Sequence, residues 1–285
     1  MASSQLIAKQ PLRGQVAVVC GGSKGIGKAT AEEFLRLGGS VCVIAREPEA
    51  LQRAAGAMAA LCHHEGQFVE TIACDATDME RLQPLLEAFI AQHGVPYYLL
   101  NVVGYAYPQY LVRLTLADFR RNMDVNYYGQ LVPILILLPH FLAQGRGHIA
   151  NVASPVVNVG APGYATYIPT KYAIIGLSET LRTELKPRGI RVSIFYPPDT
   201  DTPGFATENE TKPASLAVMS ERMITLMAPE AVAEVFVAGL LRGDFEIMAG
   251  DARWLRPLSQ HAPRVTRRVL EHLYSRARRD TGETW

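Results

Sequence analysis

Tyr167 and Lys171 stand four residues apart in Tyr167-Ile-Pro-Thr-Lys171. On a helix that spacing puts a phenol and an ammonium on one face, with Cβ atoms about 6 Å apart. A cation so close favours phenolate and is expected to lower the tyrosine pKa towards the working range. Tyr167 could then give a proton to a carbonyl oxygen as hydride reaches the carbon. Ser154 lies 13 residues upstream, where a strand is predicted to end. Its hydroxyl could orient the same oxygen. Taken alone, a Tyr and a Lys at this spacing more often mark the surface of an amphipathic helix, so the reading depends on what accompanies them.

A glycine-rich turn accompanies them. Val16-Ala-Val-Val-Cys20 runs straight into Gly21-Gly-Ser23-Lys24-Gly25-Ile26-Gly27, and a helical pattern follows. Glycines let a backbone turn sharply and approach a pyrophosphate, and the helix N-terminus then offers free N–H groups. The next predicted strand ends Val43-Ile-Ala45-Arg46. A carboxylate there would suit the ribose diol of NAD. The guanidinium of Arg46 and the ammonium of Lys24 suit a 2′-phosphate instead, so NADP(H) is the expected cofactor. Glu47 follows directly and opposes that reading. Asp75, after the third predicted strand, could accept from the adenine amino group or cap a helix.

The elements that must position these residues alternate. Strands are predicted at Val16–Cys20, Val41–Ala45, Phe68–Ala73, Tyr98–Val103, His148–Ala153, Arg191–Tyr196 and Phe245–Ala249. Amphipathic helices are predicted at Ile26–Leu37, Glu49–His64, Met79–His93, Leu116–Leu142 (bent or split) and Thr166–Lys186. Strand–helix alternation of this kind predicts an α/β fold with a Rossmann-type, doubly wound parallel sheet and a site at the carboxyl ends of its strands. Pro169 lacks an N–H and is tolerated only in a first turn, so the last helix should begin near Thr166.

The 285 residues suit one large domain. A net charge of +1 argues against a general nucleic-acid binder. Cys20, Cys42, Cys62 and Cys74 form no metal-binding spacing and read as core residues of a reduced, cytoplasmic protein. No metal site is expected. Met1–Gly14 has no apolar signal core, and Leu131–Ala143 reads as too short to span a bilayer.

With these motifs, about Gly14–Met248 resembles the short-chain dehydrogenase/reductase family. The resemblance implies that Ser154, Tyr167 and Lys171 do the chemistry. It also implies that Asn126, in Met123-Asp-Val-Asn126, bends a helix and holds a proton-relay water. Asn101 and Gly104, in Asn101-Val-Val-Gly104, would lie beside the cofactor, as would Pro197, Thr200 and Thr202. Lys171 would also bond the nicotinamide ribose.

The stretch Tyr196-Pro-Pro-Asp-Thr-Asp-Thr-Pro-Gly-Phe205, with Glu208-Asn209 and Thr211-Lys212-Pro213, resembles the matching stretch of 3-ketodihydrosphingosine reductases. That resemblance implies NADPH-dependent reduction of 3-dehydrosphinganine to sphinganine. Another lipid, 3-oxoacyl or steroid-like ketone, or a non-catalytic cofactor sensor, are the alternatives. Asp199, Asp201, Glu208 and Glu210 could attract a substrate ammonium, or simply be a solvated acidic loop. Leu216, Val218, Met219, Met223, Leu226 and Met227 could cover an alkyl chain.

Residues 1–252 are expected to form the catalytic domain with a substrate lid at 197–227, and 253–285 a basic extension. That tail interleaves Arg253, Arg256, Arg264, Arg267, Arg268, Arg276, Arg278 and Arg279 with apolar residues. Such a segment could lie on anionic lipid or dock on its own protein. Membrane enzymes of the resembling group carry a hydrophobic N-terminal segment; none is read here. The long apolar helix Tyr127–Leu142 suggests a homodimer or homotetramer.

Overall fold

A computed structural model describes residues 9–223 and 225–283. Part of the expected lid (residue 224 and the Arg222 and Met223 side chains) and the ends of the chain (1–8 and 284–285) lie outside the described residues. Seven parallel strands form one sheet in the order β3-β2-β1-β4-β5-β6-β7. They are β1 (Val16–Cys20), β2 (Ser40–Ala45), β3 (Val69–Ala73), β4 (Tyr98–Asn101), β5 (Gly147–Val152), β6 (Ile190–Tyr196) and β7 (Glu246–Met248).

Side chains alternate across each strand, so the β-branched runs feed two cores at once. Ala17, Val19, Val41, Val43 and Leu100 face one side. There they meet α1 (Gly25–Arg36), α2 (Pro48–Ala59) and α9 (Pro229–Arg242) through Phe34, Leu51, Met58 and Phe236. Val18, Cys20, Cys42, Ile44 and Leu99 face the other. Their partners are α3 (Met79–His93), α5 (Gly129–Gln144) and α6 (Ile168–Leu185), through Leu82, Leu86, Leu137, Phe141 and Leu181. Cys20, Cys42 and Cys74 are buried, free thiols, as a core reading requires.

The long predicted helix is split. α4 (Leu116–Met123) passes through a π-helical turn at Asp124–Tyr128 into α5. Leu116–Gln144 is, among the described residues, the one helical stretch long and apolar enough to cross a membrane, contrary to the shorter reading of Leu131–Ala143. Half of its most apolar window is buried inside this fold. Pro169 takes the second position of α6, where its missing N–H costs no hydrogen bond.

The segment expected to form a lid, 197–227, is not an irregular loop. Its base is closed by backbone bonds, Asp201 N–H to Met227 O (2.9 Å) and Met227 N–H to Asp199 O (3.1 Å). Above that base stand α7 (Pro203–Thr211) and α8 (Ala214–Met223). The C-terminal segment forms α10 (Ala252–His261) and α11 (Pro263–Thr281). α11 docks on α8: Leu270 and Ala277 share a buried cluster with Leu216, Met219, Ala161 and Tyr164. Glu283 then accepts from Tyr110 Oη and from Ser215 N–H, each at 2.9 Å, which ties the tail to the start of α8.

Leu216 and Met219, expected to cover an alkyl chain, are therefore covered by the tail. Arg256, counted among the basic tail residues, is buried, paired with Glu246 and stacked 4.5 Å over Tyr196. Deleting residues 263–285 should uncover Leu216 and Met219. The expected outcome is a lower Tm and faster proteolysis within 197–227, read by differential scanning fluorimetry and mass spectrometry. An unchanged Tm and cleavage pattern would mean that the tail does not hold the lid.

Candidate active site

The strand order reverses between β1 and β4, and the cleft opens at their carboxyl ends. The glycine turn occupies this place. Gly21 has φ +85°, and a Cβ there would meet Val103 N at 3.0 Å. A Cβ on Gly27 would overlap the Gly21 carbonyl oxygen, so the turn can close only without side chains. Lys24 stands at the N-cap of α1 with no side-chain hydrogen bond to the first turn. Those N–H groups suit a pyrophosphate. Ser23 is half-buried in the turn, and Ile26 packs into the core below it. Across the cleft, Thr202 approaches Gly25, where an added Cβ would meet Thr202 Cγ2 at 3.0 Å. The cradle fits a dinucleotide.

At the end of β2 both expected phosphate partners face carboxylates. Lys24 Nζ lies 2.7 Å from Glu47 Oε2, and Arg46 lies 3.8 Å from Asp75 Oδ2. All four side chains are substantially exposed, so these pairs are weak and open to exchange with an anion. Asp75 Oδ1 accepts from Thr77 N–H (2.9 Å) and Thr77 Oγ1 (2.8 Å). Asp78, not Asp75, caps α3.

Ser154 stands two residues past β5, Tyr167 precedes α6, and Lys171 sits one turn into it. The fold brings all three together. The Ser154 hydroxyl lies close enough to the Tyr167 phenol to draw its pKa down. Burial, the strongest influence, and the charges of Glu208 and Asp199 push it up, and the balance lies above the ordinary tyrosine value. The expectation that Lys171 lowers the Tyr167 pKa is therefore corrected. Lys171 is itself fully buried, and desolvation brings its pKa down to about 7. Its Nζ donates to Val152 O (3.0 Å) and lies 5.4 Å from the Tyr167 ring centroid. A cation this costly to keep charged does little to stabilise a phenolate.

Gly104 lies against both Lys171 and Asn126: an added Cβ would stand 3.5 Å from Lys171 Nζ and 3.7 Å from Asn126 Oδ1. Asn126 sits in the π-helical turn. It accepts from Tyr105 N–H (2.7 Å) and donates to Tyr105 O (2.9 Å), so it fixes the loop after β4. At two positions expected to touch the cofactor, the side-chain donors are engaged within the protein. Asn101 is fully buried and donates to Asn151 Oδ1 (2.9 Å) and Gln130 O (3.2 Å), beneath the cleft rather than in it. Thr200 is buried and donates to Pro198 O (2.8 Å), so its hydroxyl secures the lid base. Pro197 is half-buried at the end of β6.

Gln130 escaped the sequence reading. Its amide bonds Asn126 O (3.1 Å) and Val152 O (3.1 Å), while its carbonyl takes Val152 N–H (3.1 Å). The signal was a glutamine four residues after Asn126 inside an apolar helix. Tyr164 was also missed; it donates to Glu208, and its ring lies 6.0 Å from that of Tyr167.

A family model described as short chain dehydrogenase matches residues 15–213. The chain belongs to the short chain dehydrogenase family. It is 34% identical over 245 residues to the 3-dehydrosphinganine reductase of Danio rerio, covering 85% of this chain and 74% of the relative. It is 35% identical over 250 residues to the 3-ketodihydrosphingosine reductase of Dictyostelium discoideum, covering 83% and 75%. In fold it is similar to a short chain dehydrogenase/reductase from Burkholderia phymatum in complex with NAD. That likeness has a TM-score of 0.77 at 23% identity and covers 90% of this chain and 96% of that one. A 3-oxoacyl-[acyl-carrier protein] reductase from Brucella melitensis gives a TM-score of 0.73 at 24% identity, with 87% and 93% covered. This chain is an oxidoreductase of the family.

In this short chain dehydrogenase the lid carboxylates divide into two sets. Asp201 and Glu210 are exposed. Asp199 and Glu208 turn inward, near enough to act on Tyr167.

Lys171 makes a sharp test of the electrostatics. Its folded pKa lies below its ordinary 10.5, so the folded state disfavours the ammonium. The penalty is complete below about 7 and is relieved as pH rises from there towards 10.5. Lys171→Met should therefore abolish turnover yet raise Tm, most at pH 6 and least near pH 10. A fall in Tm at pH 6 would show that the ammonium stabilises the fold.

Proposed function

We propose that this short chain dehydrogenase reduces the C3 ketone of 3-dehydrosphinganine to sphinganine with NADPH. One observation carries the chemistry: the fold brings Tyr167 within reach of Ser154 and puts Lys171 Nζ 5.4 Å from its ring, beside the apolar cluster that includes Ala161, Tyr164, Leu216 and Met219. The substrate rests on the relatives, which bear the names 3-dehydrosphinganine or 3-ketodihydrosphingosine reductase at 31–35% identity.

Gly21, Ser23, Lys24, Gly25, Ile26 and Gly27 would hold the pyrophosphate. Lys24 and Arg46 would take the 2′-phosphate, exchanging Glu47 and Asp75 for it. Asp75 would reach the adenine, and Gly104, Pro197 and Thr202 the nicotinamide end. NADPH supplies the hydride when bound. Ser154 orients the substrate oxygen. Tyr167 gives its proton to that oxygen as the carbon becomes an alcohol. A phenol held above its ordinary pKa is protonated across the working range, which suits this direction. Lys171 and Asn126 keep the phenol and the loop after β4 in place, with Lys171 also bonding the cofactor ribose.

Exposed Tyr128, Leu135 and Tyr172 on the π-turn, α5 and α6 support a homodimer or homotetramer through these helices. Exposed Trp254, Leu258, Val265 and Val269, set among Arg264, Arg267 and Arg268, support peripheral contact with an anionic membrane. The site would then work at a cytoplasmic membrane surface.

Oxidation of NADPH on adding 3-dehydrosphinganine, with sphinganine identified by mass spectrometry, tests the reading. Tyr167→Phe should lower kcat by about 10²–10⁴ with cofactor Kd nearly unchanged. Near-normal kcat would remove Tyr167 from the role of proton donor. Arg46→Asp should lower the NADPH over NADH preference in kcat/KM by roughly tenfold or more. A wild-type preference for NADH would overturn the assignment of Lys24 and Arg46.

A further inference from the structure

The inward lid carboxylates do not have equal partners. Glu208 is well supplied: it accepts from Tyr164 Oη and lies 3.5 Å from Lys212 Nζ. The Lys212 side chain is 1% exposed, and its Nζ sits 4.8 Å over the Phe205 ring. Yet no hydrogen bond closes around that ammonium. A buried cation is thus already held at this place by a carboxylate and an aromatic face, the two groups that recognise ammonium ions.

Asp199 is different. Among the described residues its carboxylate has no hydrogen bond or ion pair. It is half-buried, in the segment that leaves the carboxyl end of β6, and its charge acts on both Tyr164 and Tyr167. Of these two carboxylates Glu208 has the Lys212 ammonium at 3.5 Å, so the one left without a partner is Asp199, and the charge of Asp251 adds to its own.

Resting on the proposed substrate, we infer that Asp199 is the anchor for an ammonium on the carbon next to the reacting carbonyl, with Lys212 and Glu208 as the fixed pair that leaves it free. The substrate 3-dehydrosphinganine carries its amine on C2, next to the ketone at C3. An amine there lies within a few ångströms of the carbonyl oxygen that Tyr167 must reach. A ketone held through both groups has one orientation. A ketone without the amine leaves Asp199 buried and unpaired, which is a rejection built into the site.

Burial, and then repulsion from Glu208, push the Asp199 pKa up to about 6; Lys212 lowers it and Asp251 raises it further. A carboxylate in that state gains from a cation, and binding should strengthen as pH rises through 6.

The test compares kcat/KM for 3-dehydrosphinganine and for the same chain lacking the amine, with NADPH. The wild type should favour the amino ketone by roughly tenfold or more. Asp199→Asn should collapse that ratio, and the rise of amino-ketone kcat/KM through pH 6 should disappear with it. NADPH binding by fluorescence reports whether the variant folds, and the wild-type ratio and pH limb stand without any variant. Equal efficiency on both ketones by the wild type, or an unchanged ratio in folded Asp199→Asn, would overturn the ammonium site and leave ketone reduction standing. No turnover of either ketone would overturn the substrate reading, and this inference with it.

Discussion

At the carboxyl ends of β4 and β5 the sheet stops inside the protein, and backbone groups there need partners. Gln130 provides them, bonding Asn126 O, Val152 O and Val152 N–H from one amide. Each such group left unpaired would cost about 1–3 kcal/mol. The Val152 carbonyl that accepts from Gln130 also accepts from Lys171 Nζ at 3.0 Å. The π-helical turn that Gln130 follows carries Asn126, which holds Tyr105. The loop after β4, the split helix and the buried lysine therefore share one network. A change at Gln130 moves all three.

Around that network the electrostatics run against charge. Lys171 is buried at a cost that lowers its pKa to about 7. Tyr167 is pushed the other way by burial and by two carboxylates. Both groups favour their neutral forms. A neutral phenol can give up a proton, whereas a phenolate would be a base. Glu208 and Asp199, from residues 197–227, contribute to this, so that segment tunes the Tyr167 phenol.

The lid in turn leans on the tail. Leu216 and Met219 are held by Leu270 and Ala277, and Glu283 secures the start of α8. Arg256 anchors α10 to the edge of the sheet through Glu246 and Tyr196. The tail thus has an inner face that packs and an outer face that keeps Arg264, Arg267 and Arg268 in solvent. One helix can do both because its buried positions, Thr266, Leu270 and Ala277, follow the helical period.

Strand alternation and the glycine turn were legible in the sequence, since both follow from local rules: period-two burial and φ values only glycine adopts readily. β1 and α3 were bounded correctly from pattern alone, and Pro169 put the start of α6 near Thr166, two residues before the Ile168 at which it begins. Ser154, Tyr167 and Lys171 could be picked by type and spacing. What the sequence could not determine is which polar groups face the cleft. Asn101 and Thr200 read as cofactor contacts, and the sequence did not show that their side-chain donors are taken, by Asn151 Oδ1 of the neighbouring strand and by the Pro198 carbonyl two residues back. The pKa of Tyr167 likewise depended on Glu208 and Asp199, distant in sequence and close in space. Whether the basic tail stood free or docked turned on Leu216 and Met219, because an amphipathic helix specifies that it has an apolar face and not what covers it. Local backbone preference is written residue by residue; desolvation and pairing belong to the neighbours that only folding brings together.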